Sequence, residues 1–473
     1  MSQKTCLIES NQKKITKESS PFILGMTLSK GLFLFMGASL TITACAPMQI
    51  PPLKPVVIPS LSKNTSSTTL SPEESQQLST LMNAWMTQLQ TLVKEASLSP
   101  PVASRLYAYA GVAMNESLSL FDPDTKSLVG KINGLTAFHS IKTSDYQVQW
   151  VMQQTLESLV LELVPTFSAE QLNNIQNLTN MIPKDLSTRQ INNSKHLGKE
   201  FAQHLYSWAS QDGFDLIQKK FYTSPSRTGN LAFWEPTEPN TKPVQPYWGE
   251  LRPFAISQAN ACHHTPQIAF STANESAFFK QAQEVYQTSR NLSAEQKNIA
   301  NWWADNPGKT GTPPGHWLAI ATQLAKEQNL FAPKVAKLYA VLGMALADAF
   351  ISCWHTKYQV NLLRPKTYIR QYLGHNNWNP LLNTPPFPEY PSGHSVGSGA
   401  AAEILTQLMG KQAFTDQTHM NTGQYPRQFA DFKVAAQEAA ISRLYGGIHF
   451  REAIEQGLEQ GQCIAETIWN EIK

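Results

Sequence analysis

Cysteine is scarce in this chain of 473 residues: there are five, at positions 6, 45, 262, 353 and 463, and none forms a Cys-x-x-Cys pair. That spacing argues against a disulfide-rich scaffold and against structural zinc. Charge is also modest, at 15% of residues, while 41% are hydrophobic, so the chain has enough apolar surface for a large core and is not of the disordered class. Apolar residues rarely alternate at period two, which argues against a β protein, and no repeat of fixed period marks a solenoid or propeller. After the first 44 residues no apolar run approaches the ~20 residues of a membrane-spanning helix, so a water-soluble body is expected. The nominal net charge of +3 is confined to the same N-terminal stretch. Residues 1–44 carry five lysines and two glutamates, and without them 33 basic residues face 33 acidic ones. A neutral body gives no ground for nucleic-acid binding.

The N-terminus reads as an export leader. Lys30 precedes the apolar run Gly31–Ile42, too short to span a bilayer as a stable helix but of the right length for the apolar part of a signal. The run ends in Ile42-Thr43-Ala44-Cys45, which resembles the lipobox of bacterial lipoproteins; a plain secretory signal and a buried helix are the alternatives. The resemblance implies an exported protein of the periplasm or cell envelope, lipidated at Cys45 and meeting the membrane through that anchor alone. Met26 as the true start would give a leader of ordinary length. Residues 45–70, rich in Pro, Ser and Thr, read as a flexible tether.

Order is expected from Ser71-Pro72-Glu73-Glu74, where a serine N-cap, a proline at the first helical position and a glutamate completing the capping box announce a helix. Ser168-Ala169-Glu170-Gln171 and Ser293-Ala294-Glu295-Gln296 repeat the capping-box signal. Leu78, Leu81, Met82, Trp85 and Leu89 form one helical stripe; Val148, Val151, Met152, Leu156, Leu159 and Val160 form another. The fold class is mainly α, a multi-helix bundle with long ordered loops, divided into an N-terminal helical part (71–244) and a C-terminal part (245–473). Residues 222–255, rich in Pro, Gly, Trp and Tyr, read as a long loop that wraps the bundle or serves function.

The chain is organised around Phe387-Pro388-Glu389-Tyr390-Pro391-Ser392-Gly393-His394, a proline-rich loop leading into a small-residue helix from Gly393 to Met409. Unpartnered first-turn N–H groups favour an anion there; Gly393 permits its close approach, Ser392 adds a hydroxyl and His394 a proton-exchanging ring. Cations recur on two other segments. A helix expected from Pro333 to Leu363 carries Trp354 and Lys357, and Arg364 follows seven residues after the lysine, which on a continuing helix places both cations on one face. A solvated face is the ordinary reading of such a pair, but the neighbouring apolar stripe and the Arg364-Pro365 break favour a shared anion. A further helix through Phe429, Phe432, Ala436 and Ala439 leads to Ser442-Arg443, and Gly446-Gly447 ends it so that Arg443 and His449 can aim at one point. A last helix runs from Arg451 to Ile472.

The adjacent His263-His264 pair projects in different directions and makes a poor metal site. His316 reads as a supporting residue near a helix start; Asp305 either orients an arginine or caps a turn. Cys353 reads as packed core, and the pairing of Cys262 with Cys463 is left open.

Lys357-x6-Arg364-Pro365, Pro391-Ser392-Gly393-His394 and Ser442-Arg443-x5-His449 together resemble the three-part signature shared by type 2 phosphatidic acid phosphatases, bacterial acid phosphatases and vanadium-dependent haloperoxidases. The bacterial haloperoxidase-like branch is the nearest in context from about residue 245 onward. The resemblance implies two four-helix-bundle-type halves. In the haloperoxidase version vanadate is the cofactor, bonded to His449 and neutralised by Lys357, Arg364, Ser392, Gly393 and Arg443, with His394 as acid–base group and hydrogen peroxide and halide as substrates. In the phosphatase version there is no cofactor, the substrate is a phosphomonoester, His449 is the nucleophile and His394 protonates the leaving group. Trp354 and Phe387 match aromatic positions flanking the halide in haloperoxidases, Phe387 being more like chloro- or iodoperoxidases than the histidine-bearing bromoperoxidases. Those aromatics favour the haloperoxidase version, and so does the lack of the several membrane helices typical of lipid phosphatases. A homodimer is compatible with the family.

Overall fold

The computed structural model describes residues 70–164, 168–183 and 186–473, so the expected leader, Cys45 and all but the last residue of the tether lie outside the described residues. In chain order the helices are α1 (Pro72–Glu95), α2 (Pro100–Ser119), α3 (Val148–Leu163), α4 (Ala169–Asn177), α5 (Thr188–Ala209), α6 (Phe214–Ile217) and α7 (Ala277–Arg290). They continue with α8 (Ala294–Trp302), α9 (Thr312–Glu327), α10 (Ala332–Val360), α11 (Pro365–Tyr372), α12 (Gly393–Met409), α13 (Phe432–Tyr445) and α14 (Arg451–Ile472). β1 (Phe414–Asp416) and β2 (Arg427–Phe429) form one short antiparallel pair, with Phe414 opposite Phe429. The fold is thus mainly α.

Local chemistry explains the helix starts. Ser71, Ser168 and Ser293 each accept a backbone N–H at the third helical position while a Glu or Gln side chain returns the bond, so all three capping boxes form. Both expected stripes are buried.

The core centres on α10, which packs against α1, α2, α9, α12 and α14. Its contact with α2 is backbone to backbone: a Cβ on Gly111 would lie 2.3 Å from the Tyr339 carbonyl oxygen. The contact of α12 with α14 is as close, with a Cβ on Gly461 placed 2.0 Å from the Val396 carbonyl oxygen. Glycine is therefore required at both crossings. By length and composition α10 qualifies as a membrane span, which corrects the expectation that the body has no such run. However, 94% of its most apolar window is buried within the protein, as in the core helix of a globular fold.

Three further expectations are sharpened or corrected. Cys262 and Cys463 pair, joining a loop to α14 across 201 residues, while Cys353 is free and buried. Phe429 belongs to β2 and not to the helix that begins at Phe432. Lys357 and Arg364 do not share a helix face, because α10 ends at Val360 and Asn361 takes the left-handed conformation, φ 52°.

Candidate oxyanion site

The break at Asn361 delivers Arg364 by another route. The Asn361 N–H bonds the Lys357 carbonyl at 2.8 Å, its own carbonyl accepts the Trp234 N–H at 2.8 Å, and the Leu363 N–H donates to Ala232 at 2.8 Å. Residues 232–234 of the long loop thus hold the chain extended until Pro365 starts α11, with Arg364 as its N-cap. The same loop covers the site elsewhere: the Val244 carbonyl accepts the Trp354 indole N–H at 3.1 Å and the Tyr358 hydroxyl at 2.8 Å.

Lys357, Arg364 and Arg443 are all buried. The Lys357 ammonium donates to the Pro388 and Glu389 carbonyls, each at 3.0 Å, and to that of Pro391. Arg364 donates to the Phe387 and Ile448 carbonyls, both at 2.9 Å, and to His449 Nε2 at 3.0 Å; its Nη2 has no partner. Arg443 donates to Ser442 Oγ at 2.8 Å and the Ala300 carbonyl at 3.1 Å. Burial, aided at Lys357 by the neighbouring Arg364 charge, pushes Lys357 down to about 7, and burial pushes both arginines down to about 10. Among the described residues none of the three forms a salt bridge with a carboxylate, so their charge is available to an anion.

His449 presents an imidazole lone pair beside Arg364. Arginine only donates, so the Arg364 contact makes Nε2 the lone-pair nitrogen and leaves Nδ1 to donate to Glu389 Oε1 at 2.8 Å. Burial, then Arg364, Lys357, His394 and Arg443, hold its pKa well below the usual histidine range, so the ring is neutral. Ser392 caps α12: its Oγ accepts the Ser395 N–H at 3.3 Å, leaving its own hydrogen for an oxyanion. A Cβ on Gly393 would lie 3.3 Å from the Trp354 ring. His394 is depressed by burial and by Arg443, and its Nε2 has no partner. Trp354 and Phe387 pack with ring centres 4.9 Å apart, and Phe387 faces the cations, 5.1 Å from Lys357 Nζ and 5.0 Å from the Arg364 guanidinium. Every residue singled out in the three motif segments is therefore placed in one neighbourhood.

Asp305 and His316 belong to a network behind it. His316 is held between two carboxylates, Nδ1 at 2.8 Å from Asp305 and Nε2 at 2.8 Å from Asp416, and it stacks on Trp303 at 4.4 Å. His419 Nε2 lies 3.3 Å from the other Asp305 oxygen. Although burial opposes it, the two carboxylates raise His316 to about 10, and the imidazolium in turn lowers both acids. Asp305 is also the carboxylate whose field supports the Arg443 cation. Asp305, His316 and His419 cluster as metal ligands would, but both ring nitrogens of His316 are already satisfied, and its imidazolium offsets one of the two carboxylate charges while Asp305 also faces the Arg443 cation. His263 donates or accepts at Thr356 Oγ1, 3.0 Å away, outside this cluster.

Two kinds of residue escape a sequence reading. Asp416 and His419 come from β1 and the turn after it, about a hundred residues beyond His316, and nothing local marks them. Glu389 stands inside the organising stretch, yet its contact with His449 spans 60 residues.

Buried cations around a histidine lone pair, at the N-terminus of a glycine-rich helix in a helical bundle, define a class of proteins that hold tetrahedral or trigonal-bipyramidal oxyanions. Residues 337–473 match the family model of the VCPO second helical-bundle domain. A crystal structure of a bacterial vanadium-dependent iodoperoxidase superposes with a TM-score of 0.77 at 35% identity, covering 86% of this chain and 97% of the other. A bacterial vanadium-dependent chloroperoxidase in its holo form matches in fold alone, with a TM-score of 0.60 at 15% identity over 80% of this chain and 94% of that one. The vanadium chloroperoxidase of Curvularia inaequalis is 27% identical over 237 residues, 42% of this chain and only 39% of that protein's length. The chain belongs to the vanadium-dependent haloperoxidase family.

Proposed function

We propose that this protein is a vanadate-dependent haloperoxidase that uses hydrogen peroxide to oxidise halide to hypohalous acid. The observation that carries the reading is the set of three buried cations without carboxylate partners around the His449 Nε2 lone pair, flanked by Trp354 and Phe387. The donor set fits vanadate: the orphaned Arg364 Nη2 and the free Ser392 hydroxyl hydrogen are oriented groups in want of an acceptor. His449 Nε2 would bond the metal, with Lys357, Arg364, Arg443, Ser392 and the Gly393 N–H taking the oxygens. Bound vanadate would supply the Lewis acidity that makes peroxide an oxidant of halide.

The chain's own residues do the rest. The cations neutralise oxyanion charge in a dry setting where each interaction is strong. His394, uncharged near neutrality and with Nε2 unpartnered, can take a proton from incoming peroxide and return it. Trp354 and Phe387 give a polarisable, water-excluding wall for the halide.

Purified protein loaded with orthovanadate is expected to halogenate phenol red with peroxide and iodide or bromide. Iodide is the first halide to try, given the 35% identical iodoperoxidase. His449→Ala is expected to abolish turnover. Vanadate-inhibited hydrolysis of p-nitrophenyl phosphate with no halogenation would overturn the assignment in favour of a phosphatase on the same scaffold. Export and lipidation at Cys45 are part of the proposal, and the Cys262–Cys463 bridge suits an oxidising compartment. Intact mass spectrometry should find a diacyl or triacyl Cys45 at the mature N-terminus, and an unmodified terminus elsewhere would refute it.

A further inference from the structure

We infer that Glu389 is a positioning residue that fixes the tautomer and aim of His449, an inference resting on the oxyanion-site reading above. A neutral imidazole carries its proton on either nitrogen, and only the Nδ1–H form offers Nε2 to an electrophilic centre. Glu389, accepting at Nδ1, holds that form together with the Arg364 donor at Nε2. It is fully buried, and its Oε1 accepts both the Nδ1–H of His449 at 2.8 Å and the backbone N–H of Phe450 at 2.9 Å. Two bonds from consecutive residues to a single oxygen hold the ring and its main chain together.

The same residue reaches the other cationic segments through its backbone. Its carbonyl accepts the Lys357 ammonium at 3.0 Å, and its N–H donates to Leu362, two residues before Arg364, at 2.9 Å. Glu389 therefore sets the ligating nitrogen in register with the cations through short bonds and no intervening side chain. A carboxylate behind a ligating imidazole also strengthens its donor nitrogen. The second carboxylate oxygen, Oε2, has no partner, so a glutamine can place its oxygen at the Oε1 position and its amide nitrogen where Oε2 lies. Alanine removes the acceptor and leaves two buried N–H groups unpaired.

The test is orthovanadate affinity measured by isothermal titration calorimetry, without turnover, on wild type, Glu389→Gln and Glu389→Ala. Loss of such a supporting carboxylate typically costs about 10–100-fold in metal affinity, and that loss is expected for alanine, with glutamine recovering most of it. Wild-type affinity in the alanine variant, or a glutamine variant as weak as alanine, would overturn the inference. A direct readout stands even where alanine fails to fold: ¹⁵N-histidine NMR of the wild-type protein, with His449 assigned by difference, should show Nδ1 protonated. A protonated Nε2 would refute the proposal. A protein that proves to be a phosphatase while Glu389→Ala still weakens vanadate would remove the haloperoxidase reading and keep this one; the converse result would do the opposite.

Discussion

Replacing His316 by leucine tests whether the buried charge network behind Arg443 holds the fold together. The change leaves Asp305 and Asp416, both buried, facing an apolar side chain. Removing one partner of a buried ionic group costs about 3–5 kcal/mol. The imidazole itself gives a consistent upper limit: raising it from 6.5 to about 10 corresponds to about 5 kcal/mol at 1.36 kcal/mol per pH unit. Unfolding of the roughly 400 described residues carries ~2.1 cal/mol/K each, so Tm should fall by about 4–6 °C. The pH dependence has a definite sign. Because the folded His316 is raised, its contribution is complete below its unfolded value of 6.5 and disappears as pH climbs through about 10. Asp305 and Asp416 are lowered, so their contribution is present above the ordinary aspartate range and lost in acid. Thermal unfolding followed by circular dichroism should therefore show the largest gap between wild type and variant near pH 6.5, narrowing toward pH 10. A gap under about 1 °C at pH 6.5, or one that stays constant up to pH 10, would refute the charged-network account.

Lys357, held down to about 7 by burial when no anion is bound, should take up a proton as vanadate binds. Affinity is expected to fall as pH rises above about 7, by at most tenfold per unit, and calorimetry in buffers of different ionisation enthalpy will count the protons. Phe387→His is expected to raise the ratio of bromide to iodide kcat/KM, since it puts a hydrogen-bonding ring where an aromatic face now meets Lys357 and Arg364; an unchanged ratio would remove Phe387 from halide choice. Reduction of Cys262–Cys463 opens a loop of 201 residues, which chain entropy values at up to about 5 kcal/mol. Dithiothreitol should lower Tm by a few degrees, and a Tm insensitive to verified reduction would show that α14 is held by packing alone.

What the sequence reveals here follows the range of its signals. Capping boxes act over three residues, so Ser71, Ser168 and Ser293 announce their helices, and the bounds of α12 and α14 follow from Ser392-Gly393 and from the break at Gly446-Gly447. The motif residues are readable as a set, since each brings a charge or ring that makes sense only beside the others. The route by which they meet is not. Helical phase places Arg364 on the Lys357 face, but a left-handed Asn361 ends the helix first, and strand-like bonds to residues 232–234 do the delivery. Asp416, His419 and Glu389 act across 60 to about 114 residues, and only the fold brings such partners together. The Cys262–Cys463 pairing is likewise a product of where α14 packs.

The three cations are anchored mostly to main-chain oxygens: Lys357 to residues 388, 389 and 391, Arg364 to 387 and 448, Arg443 to 300. A carbonyl is indifferent to the side chain it accompanies. The identity of the side chain at Ala300 or Ile448 thus enters the cation contacts only through packing, since both are buried and hold the backbone that carries the carbonyl. The cations are held in place by the course of the main chain at residues 387–391, 448 and 300, a framework set by the fold and not by the chemistry of the neighbouring side chains.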